Sequence, residues 1–259
     1  MSAEPRFAEV AWDGRPVRIE YEWVGEGAPA IVFLHEGLGS RAMWRDFPAK
    51  LSGALAMRGL VYSRPGYGKS TPREADERWD TDFMHRQAHE VLPAFLDVIG
   101  VKEPVWFYGH SDGGSIALLF AARFPQRTAG VIAAAPHIFV EDLTVESIER
   151  ARETYRETDL RNKLARYHDD VDSAFWGWND IWLHPPFREW NIEEEIASIR
   201  APVLALQGLD DEYGTLAQIH GIAKRVKQAK VLELARCGHS PHRDRPEAVI
   251  KAAVEFVSR

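Results

Sequence analysis

Cysteine is almost absent: Cys237 is the only one in 259 residues, so no disulfide within the chain can staple the fold. Also missing is a cluster of Lys and Arg long enough to neutralise a row of phosphates, and the formal net charge is −7. Nucleic acid is therefore not expected as a partner. No apolar run approaches the ~20 residues that a bilayer-spanning helix needs, so no membrane partner is expected either. The first residues are acidic where a secretory signal would need a basic start and an apolar core, which makes a cytoplasmic location the expectation. Metal ligands at a recognisable spacing are lacking too. His85 and His89 stand at i and i+4 of a helical pattern, but no Glu follows His85 and no third ligand lies nearby, so a helix face is expected there and not a metal site. Gly66-x-Gly68-Lys69-Ser70 lacks the longer glycine spacing that wraps a phosphate, and reads as a structural turn.

What is present is an ordinary globular composition, 45% hydrophobic and 27% charged, on a chain long enough for one domain with an insertion. Residues 7–12 and 17–23 alternate around Asp13-Gly14, a hairpin signal. Continuous apolar runs follow at 29–34, 59–63, 105–108, 128–135 and 201–207, with a last one at 230–235, each suited to a strand buried on both faces. Between them, helical spacing covers 40–55, 82–99, the stretch after 111, 216–226 and the C-terminal segment. The alternation predicts an α/β fold, a mostly parallel central sheet with helices on both faces. The rhythm breaks from 137 to 196, where a charged, helical and aromatic stretch carries Trp176, Trp178, Trp182 and Trp190.

The most informative stretch is Val105–Leu118. An apolar strand runs into Gly109-His110-Ser111-Asp112-Gly113 and continues at helical spacing. Glycines two residues either side of Ser111 remove the Cβ atoms that would collide in a sharp strand-to-helix turn, and Ser111 is held out at the end of the sheet. The helix behind it directs free N–H groups, Asp112's first, toward whatever Ser111 attacks. This stretch resembles the nucleophile elbow of the α/β-hydrolase family, in its serine esterase-like branch with a helical cap.

The resemblance covers nearly the whole chain. It implies a hydrolase core at 1–136 and 197–259 and a helical cap, or lid, at 137–196. His35-Glu36-Gly37-Leu38-Gly39 is similar to the family's His-Gly-x-x-Gly loop, with Glu36 in place of the usual glycine. That loop implies an oxyanion-hole N–H from Gly37, with Glu36 or Leu38 as alternatives, to accompany that of Asp112. His35 reads as a buried structural residue. The turn Gly208-Leu209-Asp210-Asp211 is where the family carries its acid, Asp211 preferred and Asp210 the rival. Gly238-His239 is similar to the family's histidine loop, which makes His239 the base ahead of His242, and Cys237 reads as a packed residue. The chain order Ser111, Asp211, His239 is that of the family's triad. An aromatic cap implies an apolar pocket, for which Glu36, Leu38, Phe139, Trp176, Trp178 and Trp182 are the candidates.

A serine at the elbow, not an aspartate, argues against the epoxide-hydrolase and haloalkane-dehalogenase branches. The implied activity is hydrolysis of a small, largely apolar carboxylic ester through an acyl-enzyme, with no metal or organic cofactor. The same residues suit lactone, thioester or carbon–carbon bond hydrolysis. The alternative from another class is a hydrolase-fold ligand receptor with little turnover.

Overall fold

The computed structural model describes residues 5–74 and 76–258. Residues 1–4 and 75 of the first expected core segment, and residue 259 of the second, lie outside them.

The strands are β1 (Arg6–Trp12), β2 (Arg15–Val24), β3 (Ala30–Leu34), β4 (Arg58–Tyr62), β5 (Val105–His110), β6 (Thr128–Ala134), β7 (Val203–Gly208) and β8 (Ala229–Leu234). They form one eight-stranded sheet in the order β1-β2-β4-β3-β5-β6-β7-β8. β1 and β2 are a hairpin whose turn residues Asp13 and Gly14 both have positive φ, 51° and 71°, the geometry that matches the twist of paired strands. β2 pairs antiparallel with β4, and every pairing from β4 to β8 is parallel. The parallel strands alternate between two apolar layers. Val32, Leu34, Phe107, Val131 and Ala205 pack on one side, while Ile31, Phe33, Tyr108, Ile132 and Leu206 pack on the other. Each layer is covered by helices, the second by Phe47–Leu55 and Pro246–Val257.

Two expected helices are interrupted. Residues 40–55 divide into a 3-10 turn, Arg41–Trp44, and the helix Phe47–Leu55, because Arg45 between them has φ 55° and Pro48 can only begin a helix. Residues 82–99 divide into Phe83–Arg86, a π turn Gln87–Val91 and Leu92–Val98. Pro93 supplies no N–H and its ring crowds the carbonyl four residues back, so the helical ladder opens just before it.

Between β6 and β7 stand the helices Asp142–Glu157, Leu160–Leu164, Val171–Trp182 and Glu193–Ile196. An isolated bridge between Phe139 and Asn191 joins the two ends of this segment. Its Ile148, Phe175, Trp178, Trp182 and Phe187 belong to the same apolar cluster as the first face of the sheet. Asp170 caps the third helix by accepting from the Ser173 N–H at 2.8 Å. The Gly66–Ser70 turn spends its N–H groups internally, Gly68 on His168 Nδ1, Lys69 on Glu20 and Ser70 on Tyr67 O, so none is left to cradle a phosphate.

Candidate active site

Loops after β3, β5, β7 and β8 meet at the carboxyl edge of the parallel sheet, where open α/β sheets build their crevices. Ser111 follows β5 directly, with φ 53° and ψ −122°, a conformation costly for a side-chain-bearing residue and of the kind stored at functional sites. Its turn is held from both sides. A Cβ on Gly109 would lie 2.2 Å from Gly113 O, and one on Gly113 would lie 2.1 Å from Leu34 O. The Ser111 N–H donates to Ala134 O at 2.9 Å, which ties the elbow to β6.

His239 Nε2 is 2.9 Å from Ser111 Oγ, and its Nδ1 lies 2.8 Å from Asp211 Oδ1 and 3.0 Å from Oδ2. Asp211 is itself fixed: Oδ1 accepts from the N–H of Tyr213 at 2.8 Å and of Gly214 at 3.3 Å, and Oδ2 from Gln207 Nε2 at 3.1 Å. Burial would raise the Asp211 carboxyl, but the His239 hydrogen bond and charge and the Tyr213 N–H hold it below the usual carboxylate range. Burial likewise opposes charge on His239, yet its bond to Asp211 and the Asp211 charge raise it above the ordinary histidine value. Asp210 is exposed, its side chain outside this chain of contacts. His242 is buried against Trp44 and Phe47, ring centroids 4.8 and 5.5 Å away, also apart from Ser111.

Glu36–Gly39 is a β-turn closed by the Gly39 N–H on Glu36 O at 3.0 Å. Gly37 and Leu38 occupy its centre, where N–H groups have no acceptor within the turn. Gly37 has to be glycine: a Cβ there would lie 2.2 Å from Trp178 Nε1. Arg64, fully buried, steadies the turn from behind by donating Nη2 to Glu36 O at 2.9 Å. His35 is buried and accepts the Arg64 N–H at Nε2, 3.0 Å, as a structural residue would. Asp112, the first helical residue, places its carboxylate Oδ1 3.2 Å from Trp182 Nε1 and Oδ2 3.7 Å from Arg64 Nη2. Burial pushes this carboxyl up, partly offset by Arg64.

A cavity of about 120 Å³ opens over Ser111. Of the pocket candidates in the sequence reading, Glu36, Leu38, Trp178 and Trp182 line it, together with Gly37. Phe139 and Trp176 do not, and this corrects that reading. Phe139 is taken up in the bridge to Asn191, with its carbonyl accepting from Gln218 Nε2. Trp176 is two residues from Trp178, about 200° round the helix, and faces a separate cleft with Arg73, Trp79 and His184, stacked under Arg156. Sequence reasoning missed His110, His137, Thr144, Ile148 and Tyr213, which also line the cavity. Only His110 carried a local signal, its place inside the elbow motif. His137, its ring 5.7 Å from that of His239, is lowered to about 3 by burial and by the neighbouring histidine, and stays neutral. Among the described residues no group of three or more His, Cys, Asp or Glu is arranged to hold a metal, and no helix is long and apolar enough to cross a membrane. Cys237 is buried, which raises its thiol to about 11 and leaves it unreactive.

A strained serine at a strand-to-helix turn, in contact with a histidine that a carboxylate holds in turn, both on loops after later strands of a parallel sheet, defines a class of proteins. Residues 31–252 match the family described as alpha/beta hydrolase, and this chain belongs to that family. It is 24% identical to a 2-hydroxy-6-oxononadienedioate/2-hydroxy-6-oxononatrienedioate hydrolase of Burkholderia vietnamiensis, in an alignment covering 100% of this chain and 97% of that one. It is 26% identical to a bifunctional esterase/perhydrolase of Acinetobacter calcoaceticus, covering 91% and 94%. The fold is shared with the enol-lactonase of Burkholderia xenovorans, with a TM-score of 0.75 and 23% identity over 97% of this chain and 100% of that one.

Proposed function

We propose that the chain is a serine hydrolase that cleaves small, uncharged, largely apolar carboxylic esters through an acyl-enzyme. The observation that carries this reading is the contact chain Ser111–His239–Asp211 opening onto a cavity with no Lys or Arg in its lining among the described residues. Ser111 attacks the carbonyl while His239 takes its proton, and Asp211 holds the imidazole with Nδ1 protonated. The N–H groups of Asp112 and Gly37 receive the oxyanion. His239 then protonates the leaving alkoxide and activates the water that releases the acid. Residues 137–196 serve as the cap, contributing Thr144, Ile148, Trp178 and Trp182 to the walls. A cavity of about 120 Å³ is below the ~300–1,000 Å³ of typical ligand pockets, which suits a short acyl group. The substrate is a small molecule, and the residues named need neither metal nor organic cofactor.

Carbon–carbon bond hydrolysis by the same triad is the second reading, favoured by the similarity to oxo-dienoate and oxo-dienedioate hydrolases. Such substrates carry carboxylates. Here Glu36 and Asp112 border the cavity while their own cations, Arg243 and Arg64, are not in its lining, so no Lys or Arg there meets a substrate carboxylate, which favours the uncharged ester.

The test is steady-state and burst kinetics on p-nitrophenyl esters of rising acyl length and on a 2-hydroxy-6-oxo-dienoate, for the native chain and Ser111→Ala. Turnover of acetyl to butyryl esters, falling beyond them and reduced by several orders of magnitude in the variant, is the expected result. A dienoate preferred over every ester would transfer the assignment to carbon–carbon hydrolysis. Tight ligand binding without turnover would point to a receptor, and equal rates for both chains would remove Ser111 from the mechanism.

A further inference from the structure

Glu36 stands where the resembling loops have glycine, and its carboxylate turns inward toward His110. That ring reaches across to the base loop: His110 Nε2 lies 2.6 Å from the main-chain oxygen of His239. A carbonyl oxygen only accepts, so Nε2 carries hydrogen. The other nitrogen, Nδ1, then faces Glu36 Oε2 at 3.5 Å inside a buried site. With no further proton, a nitrogen lone pair would confront a carboxylate there.

We propose that Glu36 and His110 hold one proton between them, and that this pair is a positioning device tying the oxyanion turn, the nucleophile elbow and the base loop into one register. The proposal rests on the serine-hydrolase reading for its kinetic consequence, not for its structural one. Glu36 belongs to the turn that presents Gly37, His110 precedes Ser111, and the carbonyl that His110 grips belongs to His239. The His239 main chain is otherwise held by its N–H on Glu212 Oε2 at 3.1 Å. Losing the His110 contact would leave the His239 main chain on that single bond, with the imidazole held only through Asp211 at its Nδ1.

The cations around the pair keep the Glu36 carboxylate ionised, so within the pair the proton belongs on His110. Arg243 Nη2 is 3.6 Å from Glu36 Oε1, and Arg64 Nη2 is bonded to Glu36 O. The His242 ring is 4.8 Å from that of His110 and the His239 ring 5.2 Å. The acids nearby are Asp112, in the same cavity lining, and Asp211 and Glu212, both bonded to His239. Burial would raise the Glu36 carboxyl, but His110, His242 and Arg243 hold it well below the carboxylate range. Burial keeps His242 neutral, with both ring nitrogens lacking a partner, so it does not compete for the proton.

Two readouts test this. In protein labelled with ¹⁵N-histidine and ¹³C-glutamate, at pH 7, the expected result is a doubly protonated His110 beside an ionised Glu36. A neutral imidazole beside an ionised carboxylate would overturn the proposal, whatever the enzyme's activity. In the kinetic arm, Glu36→Ala lowers kcat by about 10²-fold, the order of a 1 Å misplacement, with KM changed less than threefold. Glu36→Gln, whose amide N–H can donate to Nδ1, recovers at least tenfold of that loss and flattens the alkaline side of the pH profile. Equal losses in both variants, or Glu36→Ala within twofold of the native rate, would refute the positioning role. If the native chain shows no ester turnover, the functional reading fails while the spectra still decide the proton.

Discussion

Asp211→Asn tests the orientation of the base directly. Asp211 Oδ1 accepts from two backbone N–H groups, those of Tyr213 and Gly214. An asparagine with its NH₂ at Oδ1 would face these two donors and with its NH₂ at Oδ2 only one, Gln207 Nε2, which keeps Gly214 O as an acceptor; its oxygen therefore occupies the Oδ1 position and its NH₂ that of Oδ2. There the NH₂ lies at the 3.0 Å contact to His239 Nδ1 and donates to it. A donor at that contact biases the imidazole toward carrying its hydrogen on Nε2, which points at Ser111 Oγ and cannot accept the serine proton, while only the amide oxygen at the Oδ1 position, 2.8 Å from Nδ1, supports the productive tautomer. A triad forced into this tautomer loses about 10⁴ in kcat, about 5.5 kcal/mol of barrier. A pH profile adds the sign. A protonated His239 cannot act as base, so activity is lost as pH falls through its value, which Asp211 raises above the ordinary 6.5. The native acid limb therefore lies above 6.5, and the residual activity of Asp211→Asn has its limb moved to lower pH. Ester kinetics from pH 5 to 9, with circular dichroism to establish folding, measure both quantities. A folded variant within tenfold of the native kcat, or an Asp210→Asn variant equally impaired, would refute the assignment.

Gly37→Ala places a methyl 2.2 Å from Trp178 Nε1, closer than any real contact, so the turn or the indole must move. The expected fall in kcat/KM is about 10²–10³, that of a lost oxyanion donor; if Trp178→Ala in the same chain recovers none of it, the steric account fails. Arg41 is nearly buried and bonds Glu20 at 2.9 Å and Glu22 at 2.8 Å. Arg41→Met takes the cation from Glu20 Oε1, while Oε2 keeps Ser63 Oγ and the Lys69 N–H, and should cost about 3 kcal/mol in urea unfolding; a loss under about 1 kcal/mol would show that the pair contributes little.

The elbow was legible because its information is local. Apolar run, Gly-x-Ser-x-Gly and helical spacing are consecutive, and the clashes that demand Gly109 and Gly113 lie within the turn and the adjoining strand. The sheet was legible for a similar reason, since continuous apolar runs separated by helical spacing leave few arrangements other than a parallel sheet with two covered faces. The interruptions at Arg45 and before Pro93 were harder, because a helical period persists in the side chains even where the backbone ladder opens.

The amino-acid sequence by itself determined the strand–helix alternation, the strained serine turn and the chain order of serine, acid and histidine. Tertiary structure alone decided which neighbouring groups do the work. Asp210 and Asp211 are indistinguishable as letters, yet only one faces His239 once β7 and β8 are paired side by side. Four tryptophans share one segment, and helix rotation turns Trp178 and Trp182 inward while sending Trp176 to the other face. His110 and Glu36, 74 residues apart in sequence, became a pair only because β3 and β5 are neighbours in the sheet. Periodicity encodes which face of an element is apolar, but long-range packing chooses what that face meets.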